Sequence, residues 1–303
     1  MIVGVTIDAE SRQGEDARGL GWRVVPLVFA ECRPIVLAMF ALRFVAGASM
    51  GWSGGWGALR AADWALLGLG VVAWIAATGF VYLLNGVSDI PGDRLNGSSR
   101  PLASGRLSVR VAIGWCIAFA VAAVVLSGVV GLGLLVCALA MMAFGWLYSA
   151  GRHAAKQRVW SASLAIFGGG IAAYLGGAFT TGGAPTPETI AIAVLMAAWM
   201  AVAGNTKDLG DVAGDRGAGR RTLPVSLGIR RAAWATAIAC CVVGVAGLFI
   251  PSVVARVVAA CLLAAALVMI GLAAYGRSLE TKRMYAVFMV SQVVSNLVIV
   301  VVA

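Results

Sequence analysis

Nine apolar runs, each near the ~20 residues a helix needs to cross the hydrocarbon of a bilayer, can be drawn through this chain. They cover residues 33–50, 64–85, 110–128, 131–149, 159–179, 188–206, 231–250, 253–275 and 284–302. A backbone in lipid must satisfy its own hydrogen bonds, which leaves helices or closed barrels, and runs of this length select helices. Charge supports this: only 12% of residues are charged and 61% are hydrophobic, against roughly 25% charged in a soluble domain. The expectation is an all-α integral membrane protein with about nine transmembrane helices. The third and fourth runs share a charge-free stretch from Val111 to Gly151, divided here at Ser127-Gly128 and Gly131-Leu132-Gly133.

The basic residues set the orientation. With the N-terminus inside, twenty of the 23 Lys and Arg face the cytoplasm, among them Arg12, Arg18, Arg23, Arg33, Arg152 and Arg277, as the positive-inside rule requires. Arg60 and Arg256 fall outside, and Arg43 lies within a helix. The net charge of +10 then follows from topology and attraction to anionic membrane lipid, and nothing points to nucleic acid. Residues 1–26 are polar, with Asp8, Glu10, Glu15 and Asp16 and no apolar core. They read as a short cytoplasmic leader rather than a cleaved signal peptide, ahead of a single transmembrane domain over residues 27–303 in the plasma (inner) membrane. Six cysteines without a C-x-x-C pair read as small buried hydrophobes. His153, the sole histidine, has no partners for a His-based metal site.

Two acidic clusters interrupt this apolar pattern. Asn85, Asp89 and Asp93 are spaced i, i+4 and i+8; Asp208, Asp211 and Asp215 are spaced i, i+3 and i+7. On a helix each set shares one face. Carboxylates are costly at membrane depth, so clustered ones mark a functional site. Each cluster runs into a similar tail, Asp93-Arg94 through Gly97, Arg100 and Ser104, and Asp215-Arg216 through Gly219, Arg221 and Ser226. That correspondence suggests two related halves, an arrangement able to set the two acidic faces opposite one another.

Hard oxygen ligands from Asp and Asn suit Mg²⁺, which keeps waters and is completed by substrate phosphate oxygens. Two facing clusters suit two or more Mg²⁺ ions, with neighbouring Arg and Lys taking up the remaining charge of a diphosphate. The hydrophobic part of such a substrate would lie between apolar helices, a description that an isoprenyl diphosphate fits.

At these residues the chain resembles a known family. Asn85, Asp89 and Asp93, followed by Asn96 and Arg100-Pro101-Leu102-Ala103-Ser104-Gly105, look like the first Asp-rich motif of the UbiA superfamily of intramembrane prenyltransferases. Lys207-Asp208-Leu209, Asp211, Gly214-Asp215-Arg216, Gly219 and Arg221-Thr222-Leu223-Pro224 resemble the second. Arg33-Pro34, and Tyr148-Ser149 with Lys156, are similar to further family landmarks. The resemblance implies nine helices around a central cavity, Mg²⁺-dependent binding of a prenyl diphosphate, ionisation of its C1–O bond, and transfer to a small, aromatic acceptor. It implies metal ligation by Asn85, Asp89, Asp93, Asp208, Asp211 and Asp215, with Asp89, Asp93, Asp211 and Asp215 as the catalytic carboxylates. Diphosphate contacts are implied for Lys156, Arg100, Lys207 and Arg221. Tyr148 is a candidate acceptor contact, and Arg43 reads as a cation facing the cavity.

The chain departs from the pattern in three places. Gly86 stands where many members have Asp, Gly151-Arg152 replaces paired prolines before Lys156, and Arg43 replaces an apolar residue. Two other activities fit the same carboxylates: a UbiA-like terpene cyclase, in which the cation is captured internally, and a cation transporter, which leaves the basic rim unexplained.

Overall fold

The computed structural model describes residues 22, 24–52, 54–151, 154–181, 183–276, 279 and 282–303. The acidic leader residues 8–16, together with Arg12, Arg18, Arg23, Arg152, His153 and Arg277, lie outside the described residues. Twelve helices are described: α1 (Val24–Glu31), α2 (Pro34–Gly51), α3 (Ala61–Leu95), α4 (Val109–Val130), α5 (Leu132–Ser149), α6 (Val159–Phe179), α7 (Pro187–Ala203), α8 (Val212–Gly217), α9 (Leu223–Leu227), α10 (Ile229–Leu248), α11 (Val253–Tyr275) and α12 (Arg283–Val302). Among the described residues nine segments are long and apolar enough to span a membrane, with the sixth running from Pro187 through Gly210.

Local chemistry sets the boundaries. Ser108, Thr186 and Ser252 each accept a backbone N–H three residues on, at the starts of α4, α7 and α11, the usual role of a hydroxyl at an N-cap. The charge-free stretch is divided at Gly131, whose φ of 155° is open to glycine and not to other residues. Helix α3 is 35 residues long, about 52 Å at 1.5 Å per residue. It therefore overshoots a ~30 Å hydrocarbon layer and carries its last turns, with Asn85, Asp89 and Asp93, to one membrane face.

The spanning helices pack in a closed ring: α2, α3, α4, α5, α6, α7, α10, α11 and α12 each touch the next, and α12 returns to α2. Lipid replaces water outside this ring, so the outer surface is apolar. On α4 the row Ile113, Ile117, Val121, Val125 and Val129 is exposed at every fourth residue. Across the ring α2 meets α6 at glycines, where the backbones touch. A Cβ on Gly177 would lie 2.7 Å from the Ala48 nitrogen, and one on Gly47 2.8 Å from the Tyr174 carbonyl carbon. Small residues at helix crossings allow such approach, and packing there replaces the missing hydrophobic drive.

The two halves share local geometry as well as sequence. Gly97 and Gly219, each four residues after the Asp of an Asp-Arg pair, have φ of 61° and 69°. The Ser98 and Arg220 amides donate to the Asp93 and Asp215 carbonyls at 2.9 and 2.8 Å. Both helices thus end in the same left-handed glycine cap.

Candidate active site

The two acidic segments meet at one end of the ring. The first lies on the overshooting end of α3. The second differs from the single helical face expected for Asp208, Asp211 and Asp215. Helix α7 ends at Ala203, a 3₁₀ turn runs from Gly204 to Gly210, Asp211 sits at a break (φ −114°, ψ 16°), and α8 carries Asp215. Gly204 and Gly210, at the two ends of the 3₁₀ turn, account for the interruption, since glycine weakens a helix interior, and Asp is favoured at the position before a new helix. The segments touch each other: a Cβ on Gly214 would lie 2.5 Å from Asn96 Cγ. As a result Asn85, Asp89, Asp93, Asp208, Asp211 and Asp215 all line one polar cavity of about 110 Å³.

Cations hold these carboxylates. Lys156, from the loop after α5, donates to Asp89 Oδ1 at 2.8 Å and to Ser88 Oγ at 2.5 Å. Arg220 pairs with Asp89 and reaches Asp215 Oδ1 at 3.3 Å. Asn85 Nδ2 donates to Asp89 Oδ2 at 2.9 Å. Burial lowers the Lys156 ammonium from its ordinary range, against the attraction of Asp89. Burial would lower Arg220 also, but the Asp89 and Asp215 carboxylates outweigh it and raise the guanidinium. The Asp215 carboxyl is raised by burial, with Arg220 opposing.

Two of the expected diphosphate contacts are placed elsewhere. Arg100 is drawn off the cavity by two carboxylates: its Nη1 donates to Asp93 Oδ2 at 2.7 Å and its Nη2 pairs with Glu31 Oε1 at 2.6 Å. Arg221 is exposed, and its amide donates to the Gln157 carbonyl at 2.9 Å, beside Arg158. Its neighbour Arg220 lines the site instead, because the Gly219 cap turns residue 220 inward. Arg33, which opens α2 as part of the Arg33-Pro34 landmark, also lines the cavity, as does Arg158, which no sequence motif marked. Arg33 alone among the described non-glycine residues has positive φ, 58°, a costly conformation that often accompanies function.

A second, mostly apolar cavity of about 170 Å³ continues inward between α2, α3, α5, α6, α7 and α12. Lys207 and Tyr148 stand at the shared mouth, with the Lys207 ammonium donating to Tyr148 Oη at 2.9 Å. Arg43 lines the apolar part and is only 3% exposed. Its Nε donates to Gln292 Oε1 at 3.0 Å and its guanidinium lies 4.6 Å from the Phe40 ring centre; among the described residues no carboxylate pairs with it.

The donor set fits Mg²⁺ as expected for hard oxygen ligands. Asp215 Oδ2, buried next to the Thr222 hydroxyl, makes no hydrogen bond of acceptable geometry and is available to a cation. Among the described residues no three carboxylates group closely enough to make a ready metal site, and Asp89, Asp93 and Asp215 are each paired with a cation, Lys156 and Arg220, Arg100, and Arg220 respectively. Each ion would therefore take one or two carboxylates and complete its shell with water and phosphate oxygens, the usual habit of Mg²⁺.

Comparison with known proteins places these features in context. Residues 44–293 match the UbiA prenyltransferase family. Digeranylgeranylglyceryl phosphate synthase of Halobacterium salinarum is 34% identical over 197 residues, 62% of this chain and 63% of that protein, so the chain spans under two thirds of that relative's length. A UbiA homolog from Archaeoglobus fulgidus bound to GPP and Mg²⁺ superposes with a TM-score of 0.71 at 19% identity, over 91% of this chain and 100% of that one. The apo UbiA homolog from Aeropyrum pernix K1 gives 0.61 at 22% identity, over 88% and 98%.

Proposed function

The chain belongs to the UbiA prenyltransferase family, and from that premise we propose that it transfers a prenyl group from an isoprenyl diphosphate to a small acceptor, with Mg²⁺. The observation that carries this reading is the meeting of both carboxylate segments over one polar cavity that opens into an apolar one. Asn85, Asp89, Asp93, Asp208, Asp211 and Asp215 would hold two or more Mg²⁺ ions. When bound, those ions supply positive charge where negative charge grows on the departing diphosphate, the place at which electrostatic stabilisation is most effective.

The protein's own groups do the rest. Lys156 and Arg220 orient Asp89 and Asp215, and with Arg33 and Arg158 they ring the polar cavity with cations that suit phosphate oxygens. Lys207 is anchored on Tyr148 at the mouth, where the C1–O bond would lie between polar and apolar compartments. The apolar cavity receives the prenyl group and keeps water from the allylic cation.

For the acceptor, the aromatic expectation gains no support from the relatives, whose names point to glyceryl phosphates. The acceptor we propose is a hydroxyl compound that carries an anionic group, and buried Arg43 supports it. Arg43→Leu should raise the acceptor's KM by about 10- to 100-fold, the worth of one charge-assisted hydrogen bond, and leave donor KM and Mg²⁺ dependence alone. Steady-state kinetics in both substrates check this, and unchanged kinetics with lowered stability would make Arg43 structural.

The overall test uses purified protein, Mg²⁺ and geranyl, farnesyl or geranylgeranyl diphosphate. Geranylgeranylglyceryl phosphate, its phosphate-free alcohol and 4-hydroxybenzoate serve as acceptor probes. Diphosphate release and a prenylated product should appear with geranylgeranylglyceryl phosphate and not with its phosphate-free alcohol, and product with 4-hydroxybenzoate alone would restore the aromatic acceptor. Release without acceptor would favour a cyclase, and no release under any of these conditions would reject the reading. We also propose that the site opens to the cytoplasm, on the strength of the basic residues around it. A reporter inserted near Gly217 should read as cytoplasmic and one near Gly55 as external; the opposite pattern would reverse the orientation.

A further inference from the structure

Helix α1 precedes the part of the chain that matches the family, which begins at residue 44, yet its last residue reaches the acidic site. Glu31 is fully buried. Its Oε2 accepts the Leu102 amide at 3.0 Å, its Oε1 pairs with Arg100 Nη2 at 2.6 Å, and its carbonyl accepts from the same nitrogen at 3.3 Å. Arg100 passes the link on to Asp93 at 2.7 Å.

The carboxylate of Glu31 occupies the space in front of Gly86. A Cβ on Gly86 would lie 2.9 Å from Arg100 Nη2, 3.1 Å from Glu31 Cδ and closer still to Glu31 Oε1. Residue 86 directly follows Asn85 on α3, so any acidic side chain placed there would point at the same guanidinium. The space that a side chain at position 86 would enter is taken by a carboxylate from another helix.

We propose that Glu31 is a positioning residue: from α1 it supplies the carboxylate that residue 86 lacks, takes up the charge of Arg100, and so keeps Asp93 available to the polar cavity. Arg100 is 13% exposed in its side chain, between carboxylates that are 0% and 18% exposed, so water screens the three charges poorly. With Glu31 neutral, the whole attraction of Arg100 falls on Asp93 and competes with any cation Asp93 would bind. An opposite charge at this range moves a neighbour's equilibrium by about one to three powers of ten.

The Mg²⁺ half of this inference rests on the proposed function, whereas the pairing of Glu31 with position 86 does not. The experiment is therefore a double-mutant cycle read in two ways: the unfolding midpoint of detergent-solubilised protein without metal, and the Mg²⁺ concentration that half-saturates diphosphate release. Glu31→Gln keeps an acceptor for the Leu102 amide and should raise the half-saturating Mg²⁺ by about tenfold or more. Gly86→Asp alone should lower the midpoint, because two carboxylates then crowd one guanidinium. Glu31→Ala, which also removes the acceptor of the Leu102 amide, is the second single variant of the cycle and should lower the midpoint and raise the half-saturating Mg²⁺; combined with Gly86→Asp it should restore both readouts toward the parent, beyond the sum of these two single changes. An additive double variant, or a Glu31→Gln protein with unchanged Mg²⁺ dependence, would overturn the proposal. If the parent protein showed no Mg²⁺-dependent release, the proposed function would fail, and the metal-free cycle would still decide the pairing.

Discussion

Asp211→Asn should lower diphosphate release from a prenyl diphosphate by about 100- to 1000-fold, while the unfolding midpoint stays at the parent value. Losing one metal-binding charge removes several kcal/mol of transition-state stabilisation, and each ~1.4 kcal/mol is tenfold in rate. Asp211 is exposed at the break before α8 and lines the polar cavity, so the fold has little stake in it. Asp89→Asn should cost as much activity but also stability, because Lys156 and Arg220 both converge on Asp89. Leaving poorly solvated cations without their partner costs on the order of 3 kcal/mol or more when the pair is fully buried, and Lys156 and Arg220 are mostly buried. Release assays and thermal unfolding of the two purified variants separate these outcomes. Turnover within tenfold of the parent in either one would remove that carboxylate from the metal site.

Gly177→Leu should yield no folded protein. The crossing of α2 and α6 brings backbone against backbone, with a position-177 Cβ 2.7 Å from the Ala48 nitrogen. That atom belongs to a helix and cannot rotate aside, so any side chain forces the helices apart. Both helices line the apolar cavity, so the same shift would open it. Helix separation forfeits the close packing that holds membrane helices together, and overpacking of this kind is not relieved by rotamer changes. Gly177→Ala should fold poorly and Gly177→Leu not at all, as read by recovery of a monodisperse peak in detergent. A normal yield of Gly177→Leu would mean that α2 and α6 do not cross here.

How much of this was legible in the sequence depends on how local each determinant is. The spans were readable because bilayer thickness imposes one length on every apolar run; even the division at Gly131 needed only a glycine in a charge-free stretch. The two acidic clusters were readable as a site because charge is costly at that depth. Their local form was less so. The second cluster has helical spacing, but the segment bounded by Gly204 and Gly210 forms a 3₁₀ turn, and a separate short helix follows it.

Long-range partners could not be read at all. Arg100 is turned off the cavity by Glu31, which lies 69 positions earlier, and Arg43 finds Gln292, 249 positions later. Which of Arg220 and Arg221 faces the cavity depends on the left-handed cap at Gly219. The pair was visible in the sequence, and the matching Gly97 cap shows that the turn repeats, but choosing between neighbours requires the direction of the chain after the cap.

The central claim, that the two acidic segments jointly hold divalent ions for a prenyl diphosphate, is tested most directly by anomalous scattering. The crystal would contain the protein with Mn²⁺ in place of Mg²⁺ and a non-ionisable S-thiolodiphosphate analogue of geranyl diphosphate. The account predicts Mn²⁺ peaks in contact with side chains from both 85–93 and 208–215, sharing diphosphate oxygens, with the geranyl chain in the apolar cavity beyond Tyr148. Peaks confined to one segment, or a diphosphate bound away from both, would contradict it.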